Sequence, residues 1–145
     1  INRSKAYQQE HGKLPIEDGI DVINVRGLSF IRFLDIAKGL QKEVVVVTDN
    51  DGDYENKVDK KYEKYDDYGN ITICRSNDNN LPSLEQQFVH YNELASLNKM
   101  FTCTFKDKDS VKNYMVKNKT EWALKLFEYR GTINLPKYIN NAIKK

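Results

Sequence analysis

The sequence predicts an α/β fold, with a parallel sheet flanked by helices and a helical C-terminal part. The run Val44–Val47 holds four consecutive β-branched residues, which is typical of a strand buried on both faces inside a parallel sheet. Before it, the strand candidate Ile20–Val25 and the helical apolar stripe of Leu28–Leu40 complete a right-handed βαβ unit. After it, Ile71–Cys74 predicts a further short strand, and the chain beyond residue 84 is mainly helical.

The other segments are predicted from their local patterns. Residues 54–68 are dense in Lys, Asp, Glu and Tyr with little apolar periodicity, so an exposed helix and a mobile segment are both open. Apolar residues at helical spacing predict one helix over Leu84–Leu97. Residues 110–144 are predicted to be helical, with breaks at Asn118 and over residues 131–136.

The bulk composition narrows the class of protein. The chain has 145 residues, enough for one domain with a proper core, and 23 Lys and Arg against 21 Asp and Glu. This balance excludes a strongly basic nucleic-acid footprint over the whole chain, although a local basic patch stays open. Cys74 and Cys103 lack the spacing of metal ligands and are expected to be core thiols in a reducing compartment.

Two further expectations concern location and completeness. No apolar run reaches the length of a membrane span and no signal peptide opens the sequence. We therefore expect a cytoplasmic protein with no membrane partner. Because the sequence opens on Ile1 rather than Met, we also expect it to be part of a longer protein.

Three acids at every second position follow the Val44–Val47 strand. Asp49, Asp51 and Asp53 come with Gly52, which lets the backbone turn. While the chain stays extended, alternation places Asp49 and Asp51 on the same side, at the carboxyl end of a parallel strand where ligands bind. Carboxylates so close together repel each other unless a cation neutralises them. Oxygen ligands of this kind favour Mg²⁺, Mn²⁺ or Ca²⁺ over zinc.

The three acids have two other interpretations. An Asp-rich turn after a strand is common, and a solvated loop with good turn chemistry is the simplest alternative. The buried strand before the acids argues against it, since it places them at the mouth of a sheet. An EF-hand is excluded for two reasons. Gly52 lies two positions before the place where an EF-hand loop needs its glycine, and Lys60 occupies the position of the closing acid.

The Asp49-Asn50-Asp51 motif resembles the DxD motif of the Toprim fold. Residues 22–27, 30–37 and 44–51, taken in order, resemble the Toprim domain of the OLD-family (overcoming lysogenization defect) nucleases, and the resemblance runs from about Ala6 to the end of the chain. It implies a Rossmann-like parallel sheet and a single Toprim nuclease domain over residues 1–145. It also implies an upstream ABC-type ATPase domain, through which ATP would act, and a role in anti-phage defence like that of the Gabija nuclease subunit.

A second motif supplies a further acid. The segment Leu81–Glu85 resembles the family's acidic motif after a strand, which implies that Glu85 is a metal ligand. On the residues alone, Glu85 is equally well explained as an acid in the first turn of a helix that begins after Ser83.

A third motif points to a lysine. Residues 118–124 resemble the family's late lysine motif, which implies that Lys119 is catalytic. Asn118 and Glu121 have capping-box spacing, which places Lys119 in the first turn of a helix, where a cation opposes the helix dipole. On the residues alone, a solvent-facing lysine is the simpler interpretation.

One departure from the family pattern matters. Toprim domains carry an essential Glu in a Glu-Gly pattern at the end of their first strand, and no such pattern precedes the helix at Ala6. We therefore expect the N-terminal strand of the fold to be missing from this chain, and the chain alone to have an incomplete site.

Two functions follow as hypotheses. The first is an Mg²⁺- or Mn²⁺-dependent DNA endonuclease in which Asp49, Asp51 and Glu85, together with the Glu expected upstream, hold the metal. Asp53 is an outer-shell acid or a ligand of a second metal ion, and Lys119 stabilises the transition state. Its partners would be DNA, further copies of the full-length protein and a helicase subunit. The alternative is a non-catalytic Toprim module that docks partner subunits or senses a nucleotide.

Overall fold

The computed structural model describes residues 7–8, 10–25 and 29–144 of the chain. It has a mixed α/β architecture, which confirms the predicted fold class. Residues 55–65 form one irregular helical stretch, here called segment 55–65, that passes from a π-helix through an α-helical turn to a 3₁₀ turn. In chain order, the other elements are a 3₁₀ turn Pro15–Asp18, α1 (Ser29–Leu40), β1 (Val44–Thr48), β2 (Ile71–Arg75), α2 (Leu84–Tyr91), α3 (Leu94–Phe101), α4 (Lys108–Lys117), α5 (Lys119–Glu128) and α6 (Lys137–Ile143).

The two strands form a parallel pair. β1 and β2 run in register from Val44 beside Ile71 to Thr48 beside Arg75. Both strands were predicted, and both are rich in the β-branched residues that suit a pleated sheet. Because the strands are parallel, their carboxyl ends meet at one edge of the sheet, and the loops that follow them lie side by side.

Burial of β1 is less complete than its sequence predicts. Val46 is buried against α1 and segment 55–65 in a core that includes Leu34 and Tyr62. On the other face Val47 packs against α6, whereas Val45 is 39% exposed. The prediction of a strand buried on both faces is therefore wrong at Val45, because within the described residues α6 covers only the carboxyl-terminal part of that face.

The predicted strand Ile20–Val25 is wrong. These residues are irregular, and Ile20, Val22 and Ile23 are exposed. A strand needs a neighbour for its backbone N–H and C=O groups, and in the described part of the chain β1 pairs with β2 alone. The predicted turn at Arg26–Gly27 lies outside the described residues. The helix expected from Leu28 is present as α1.

Segment 55–65 is helical, as one of the two interpretations expected, but one of its faces is buried in the core and not exposed. Val58, Tyr62 and Tyr65 are buried and pack with Leu34 of α1. The Tyr65 hydroxyl donates to the Asp35 carboxylate at 2.7 Å, which satisfies its polar group at the edge of the core. The apolar faces of tyrosines therefore supply the packing that the few aliphatic residues cannot.

The C-terminal half forms a helical layer with its own core. Phe88, Leu97, Phe101 and Met115 are among its fully or nearly fully buried side chains. The helix predicted over Leu84–Leu97 is two helices, α2 and α3, which the Asn92-Glu93 pair separates. The predicted breaks at Asn118 and over 131–136 are confirmed. Among the helices described, none combines the length and the apolar character needed to cross a membrane.

Candidate metal and phosphate site

The acidic loop begins where β1 ends, and Asn50 anchors it to the loop after β2. Asn50 is 0% exposed, and its amide nitrogen donates to the carbonyl oxygens of Ser76 at 3.1 Å and Asp78 at 2.9 Å. Its side-chain oxygen accepts from the Gly52 amide at 2.9 Å. The middle residue of the DxD motif is therefore structural, and it fixes the flanking acids relative to the sheet edge.

The backbone turns sharply at Asp51. Asp51 lies in the left-handed region with φ of 48°, followed by Gly52 with φ of 81°. The Asp51 amide donates to the Pro82 carbonyl at 3.0 Å, and the Lys57 ammonium donates to the Asp51 carbonyl at 3.1 Å. The expectation that the chain stays extended through Asp51 is wrong, because the loop bends back onto the start of α2.

Asp49 sits half-buried between the sheet edge and the first turn of α2. Burial raises the pKa of Asp49 above its ordinary value, and the negative charges of Asp51 and Glu85 add to this effect. The Leu84 backbone amide donates to the Asp49 carboxylate and opposes the rise in its pKa. Asp51 and Glu85, two of the other acids that the sequence singles out, are thus close enough to Asp49 to influence its charge.

Glu85 is held in the first turn of α2. Ser83 caps this helix. Its hydroxyl accepts a hydrogen bond from the Gln86 backbone amide, and the Gln86 side-chain oxygen accepts one from the Ser83 backbone amide. The Glu85 side chain is only 9% exposed, and its carboxylate lies 3.4 Å from the Lys119 ammonium. Glu85 is therefore both the helix-entry acid and a member of the acidic cluster.

Lys119 is the first residue of α5, as predicted, and its side chain is 71% exposed. The predicted capping box around it is wrong. The Asn118 side-chain amide donates backwards to the Tyr114 carbonyl, and Glu121 accepts from the Tyr114 hydroxyl at 2.8 Å. Lys119 is thus oriented by its ion pair with Glu85, which joins two helices that are distant in sequence.

Asp53 has a local task. Its carboxylate accepts from the backbone and side-chain nitrogens of Asn56, and these bonds hold the pKa of Asp53 below its ordinary value. Its own amide donates to the Asn50 carbonyl at 3.0 Å. Asp53 therefore starts segment 55–65, and its role as a further metal ligand stays a prediction.

The donors suit a hard cation, although they do not form a closed cage. Among the residues that the structure describes, no group of three or more His, Cys, Asp or Glu side chains is arranged to hold a metal ion. The oxygen chemistry of Asp49, Asp51 and Glu85 nevertheless fits Mg²⁺ or Mn²⁺, because crowding and burial penalise the charged form of Asp49 and a cation would relieve that penalty.

Sequence reasoning missed two residues of the site, Asn50 and Lys57. Asn50 lies within the DxD motif as its variable position, and Lys57 lies in a segment expected to be exposed or mobile. Asn side chains commonly bond to nearby backbone groups in turns, which is the one signal that could have identified Asn50. Nothing in the spacing of Lys57 distinguishes it from the lysines around it.

Comparison with known proteins bears on the first third of the chain. Residues 4–51 match the family model of the TOPRIM domain of overcoming lysogenization defect protein-like proteins. Comparison with curated proteins and with solved structures gives no match. The family match supports a nuclease-type domain, and Toprim domains generally bind divalent metal ions. The matched segment ends on the Asp49–Asp51 motif and is similar to the OLD-like Toprim family, in agreement with the resemblance that the motif predicted.

Proposed function

We propose that the chain is the Mg²⁺-dependent DNA endonuclease domain of an OLD-family protein that acts in anti-phage defence. One observation carries the proposal. The acids after β1, the acid in the first turn of α2 and the lysine that opens α5 meet at the carboxyl edge of the sheet. These residues come from three separate parts of the sequence. Helix capping alone does not require that their side chains lie together. DNA is the proposed substrate, and oligomers of the full-length protein and a helicase subunit are the proposed partners.

Asp49, Asp51 and Glu85 would hold the ion. A bound Mg²⁺ would supply a water nucleophile at neutral pH and would neutralise charge on the phosphate. Burial and the charges of the two other acids raise the pKa of Asp49, and a bound cation would favour its charged form. The buried Glu85 carboxylate lies 3.4 Å from the Lys119 ammonium, so a cationic partner is already beside it.

Lys119 would stabilise the charge that grows on the phosphate during the reaction. Its ammonium group is anchored at one side by Glu85 and otherwise faces solvent. It is therefore held beside the acids yet stays accessible to a substrate. A fixed cation next to a developing negative charge is an effective means of lowering a barrier.

Removal of the two motif acids tests the proposal. Asp49→Ala and Asp51→Ala, made in the full chain, should each reduce Mg²⁺-dependent nicking of supercoiled plasmid by about 100-fold or more. Asp67→Ala is a matched control, because Asp67 is an exposed acid on the loop before β2. Far-ultraviolet circular dichroism of each variant establishes that the fold is kept. Cleavage at the wild-type rate by either motif variant would contradict the proposal.

The role of Lys119 is tested separately. Lys119→Ala should lower the rate at saturating Mg²⁺ and DNA by about 10- to 1,000-fold, because it removes the positive charge that would stabilise the negative charge growing on the phosphate. Lys117→Ala is the control, because Lys117 is an exposed lysine at the end of α4, two residues away. Equal rates for the two variants would show that Lys119 has no special role.

The defence role has its own test. Phage should form fewer plaques on a lawn of cells that carry the full-length protein than on a lawn of cells that carry the Asp49→Ala variant. Equal plaque counts with a nuclease-active protein would contradict the defence role and leave the nuclease proposal standing.

A further inference from the structure

Lys57 contacts the acidic turn from outside the motifs that identify the site. It lies on segment 55–65, is exposed, and its ammonium donates to the Asp51 carbonyl at 3.1 Å. The other lysines of the segment have different partners. Lys60, one turn on, bonds to Asn56 at 3.0 Å and pairs with Glu55 at 2.9 Å.

The turn that Lys57 contacts needs support. Asp51 has φ of 48°, a conformation that costs a residue with a side chain about 1–2 kcal/mol relative to right-handed backbone. Such backbone conformations persist where several surrounding contacts hold them in place. The Asp51 amide is fixed by the Pro82 carbonyl, and the next amide, of Gly52, is fixed by the Asn50 side chain. Lys57 donates to a further polar group of the turn, the Asp51 carbonyl.

We propose that Lys57 is a positioning residue, which holds the Asp51 turn in the conformation that presents the Asp51 carboxylate to a divalent cation. The proposal rests on the function proposed above, and it assigns no contact between Lys57 and the substrate. Lys57 acts through the Asp51 backbone. Its position is set in turn by the Lys57 amide, which donates to the Asp53 carbonyl at 3.0 Å, so the turn and the lysine form one unit.

The first test requires no metal. Amide hydrogen exchange in EDTA should be about two- to five-fold faster at Asp51, Gly52 and Asp53 in Lys57→Met than in the wild type, the range expected for the loss of one solvent-accessible hydrogen bond. Methionine keeps the apolar stem and removes the ammonium. Lys60→Met is the matched control and should leave these amides unchanged. Equal exchange in the wild type and Lys57→Met would overturn the proposal.

The second test uses the metal. The Mg²⁺ concentration that half-saturates plasmid nicking should rise about two- to five-fold in Lys57→Met, with little change in the rate at saturating Mg²⁺. Lys57→Arg, which keeps a cationic donor, should recover most of the difference. A residue that merely contributed to folding would not give this separation of metal affinity from rate. A lowered saturating rate with unchanged Mg²⁺ dependence would overturn the positioning role.

The two tests separate failure of this inference from failure of the proposed function. If the wild-type protein cleaves no DNA under any divalent metal, the nuclease proposal fails. The exchange measurement then decides on its own whether Lys57 holds the turn. If the wild-type protein cleaves DNA and Lys57→Met behaves like Lys60→Met in both tests, the nuclease proposal stands and the role of Lys57 is refuted.

Discussion

Replacement of Asn50 by alanine should strongly destabilise the chain, although Asn50 lies in a loop. Its side chain is completely buried between the acidic loop and the loop that follows β2. It joins the Ser76 and Asp78 carbonyls to the Gly52 amide, so one side chain bridges segments 26 and 28 residues apart. Alanine would remove all three hydrogen bonds and would leave their backbone partners without the bonds that the side chain supplies.

The magnitude follows from these three bonds. Each hydrogen bond of this kind contributes about 0.5–1.5 kcal/mol net, and a buried group left unsatisfied costs about 1–3 kcal/mol. The Asp78 carbonyl lies in an exposed part of the loop and can regain water, which lowers the total. We expect the free energy of unfolding to fall by about 2–4 kcal/mol.

Urea denaturation followed by circular dichroism measures this change. With a slope of about 2 kcal/mol/M, the midpoint should fall by about 1–2 M. The control is Asn77→Ala, because Asn77 is an exposed asparagine of the same loop. That variant should change the free energy of unfolding by less than about 0.5 kcal/mol. A loss of less than about 1 kcal/mol in Asn50→Ala would refute the view that Asn50 anchors the loop.

Two further predictions concern stability. Because the folded pKa of Asp49 is raised, the unfolded chain loses this proton at lower pH than the folded chain, so the free energy of unfolding contributed by Asp49 falls as pH rises through that interval. In EDTA, Asp49→Asn should remove this decline and stabilise the chain at neutral pH, as urea denaturation between about pH 4 and pH 7 would show. Thr102→Gly should raise the free energy of unfolding by about 0.5–1 kcal/mol, because Thr102 ends α3 in the left-handed conformation with φ of 55°. The same change at Thr104, whose φ is negative, should lower it.

The elements that could be predicted from the sequence are those whose pattern is local. Runs of β-branched residues predict the strands β1 and β2, and residues that interrupt a helix predict the breaks near Asn118 and Pro136. Ile20–Val25 has the composition of a strand, but a strand forms only beside a partner, which composition cannot supply. The burial of segment 55–65 could not be predicted, because its tyrosine rings pack against α1 and the spacing of apolar residues in the segment gives no sign of that contact.

The site divides in the same way. Asp49 and Asp51 could be located from the strand before them, whereas Glu85 and Lys119 needed the family motifs. Without those motifs, Glu85 is an ordinary acid at the start of a helix and Lys119 is one solvent-facing lysine among many. Their meeting at 3.4 Å depends on how α2 and α5 pack, and packing is a tertiary property. Asn50 was missed because its bonds go to backbone carbonyls on another loop, and such partners leave no trace in residue spacing.

The placement of charges at the sheet edge explains why a loop so close to the core carries so many acids. A hydrophobic strand drives the start of the loop into the protein interior, where Asp49 is half-buried and its charge is penalised. Glu85, which is more deeply buried, has the nearby ammonium of Lys119, and Asp53 is engaged by Asn56. Glu85 and Asp53 therefore each have a partner within the described part of the chain. The Leu84 amide offsets the penalty on Asp49 only in part, since the pKa of Asp49 stays raised, and under the proposed function a divalent cation from solution would offset the rest.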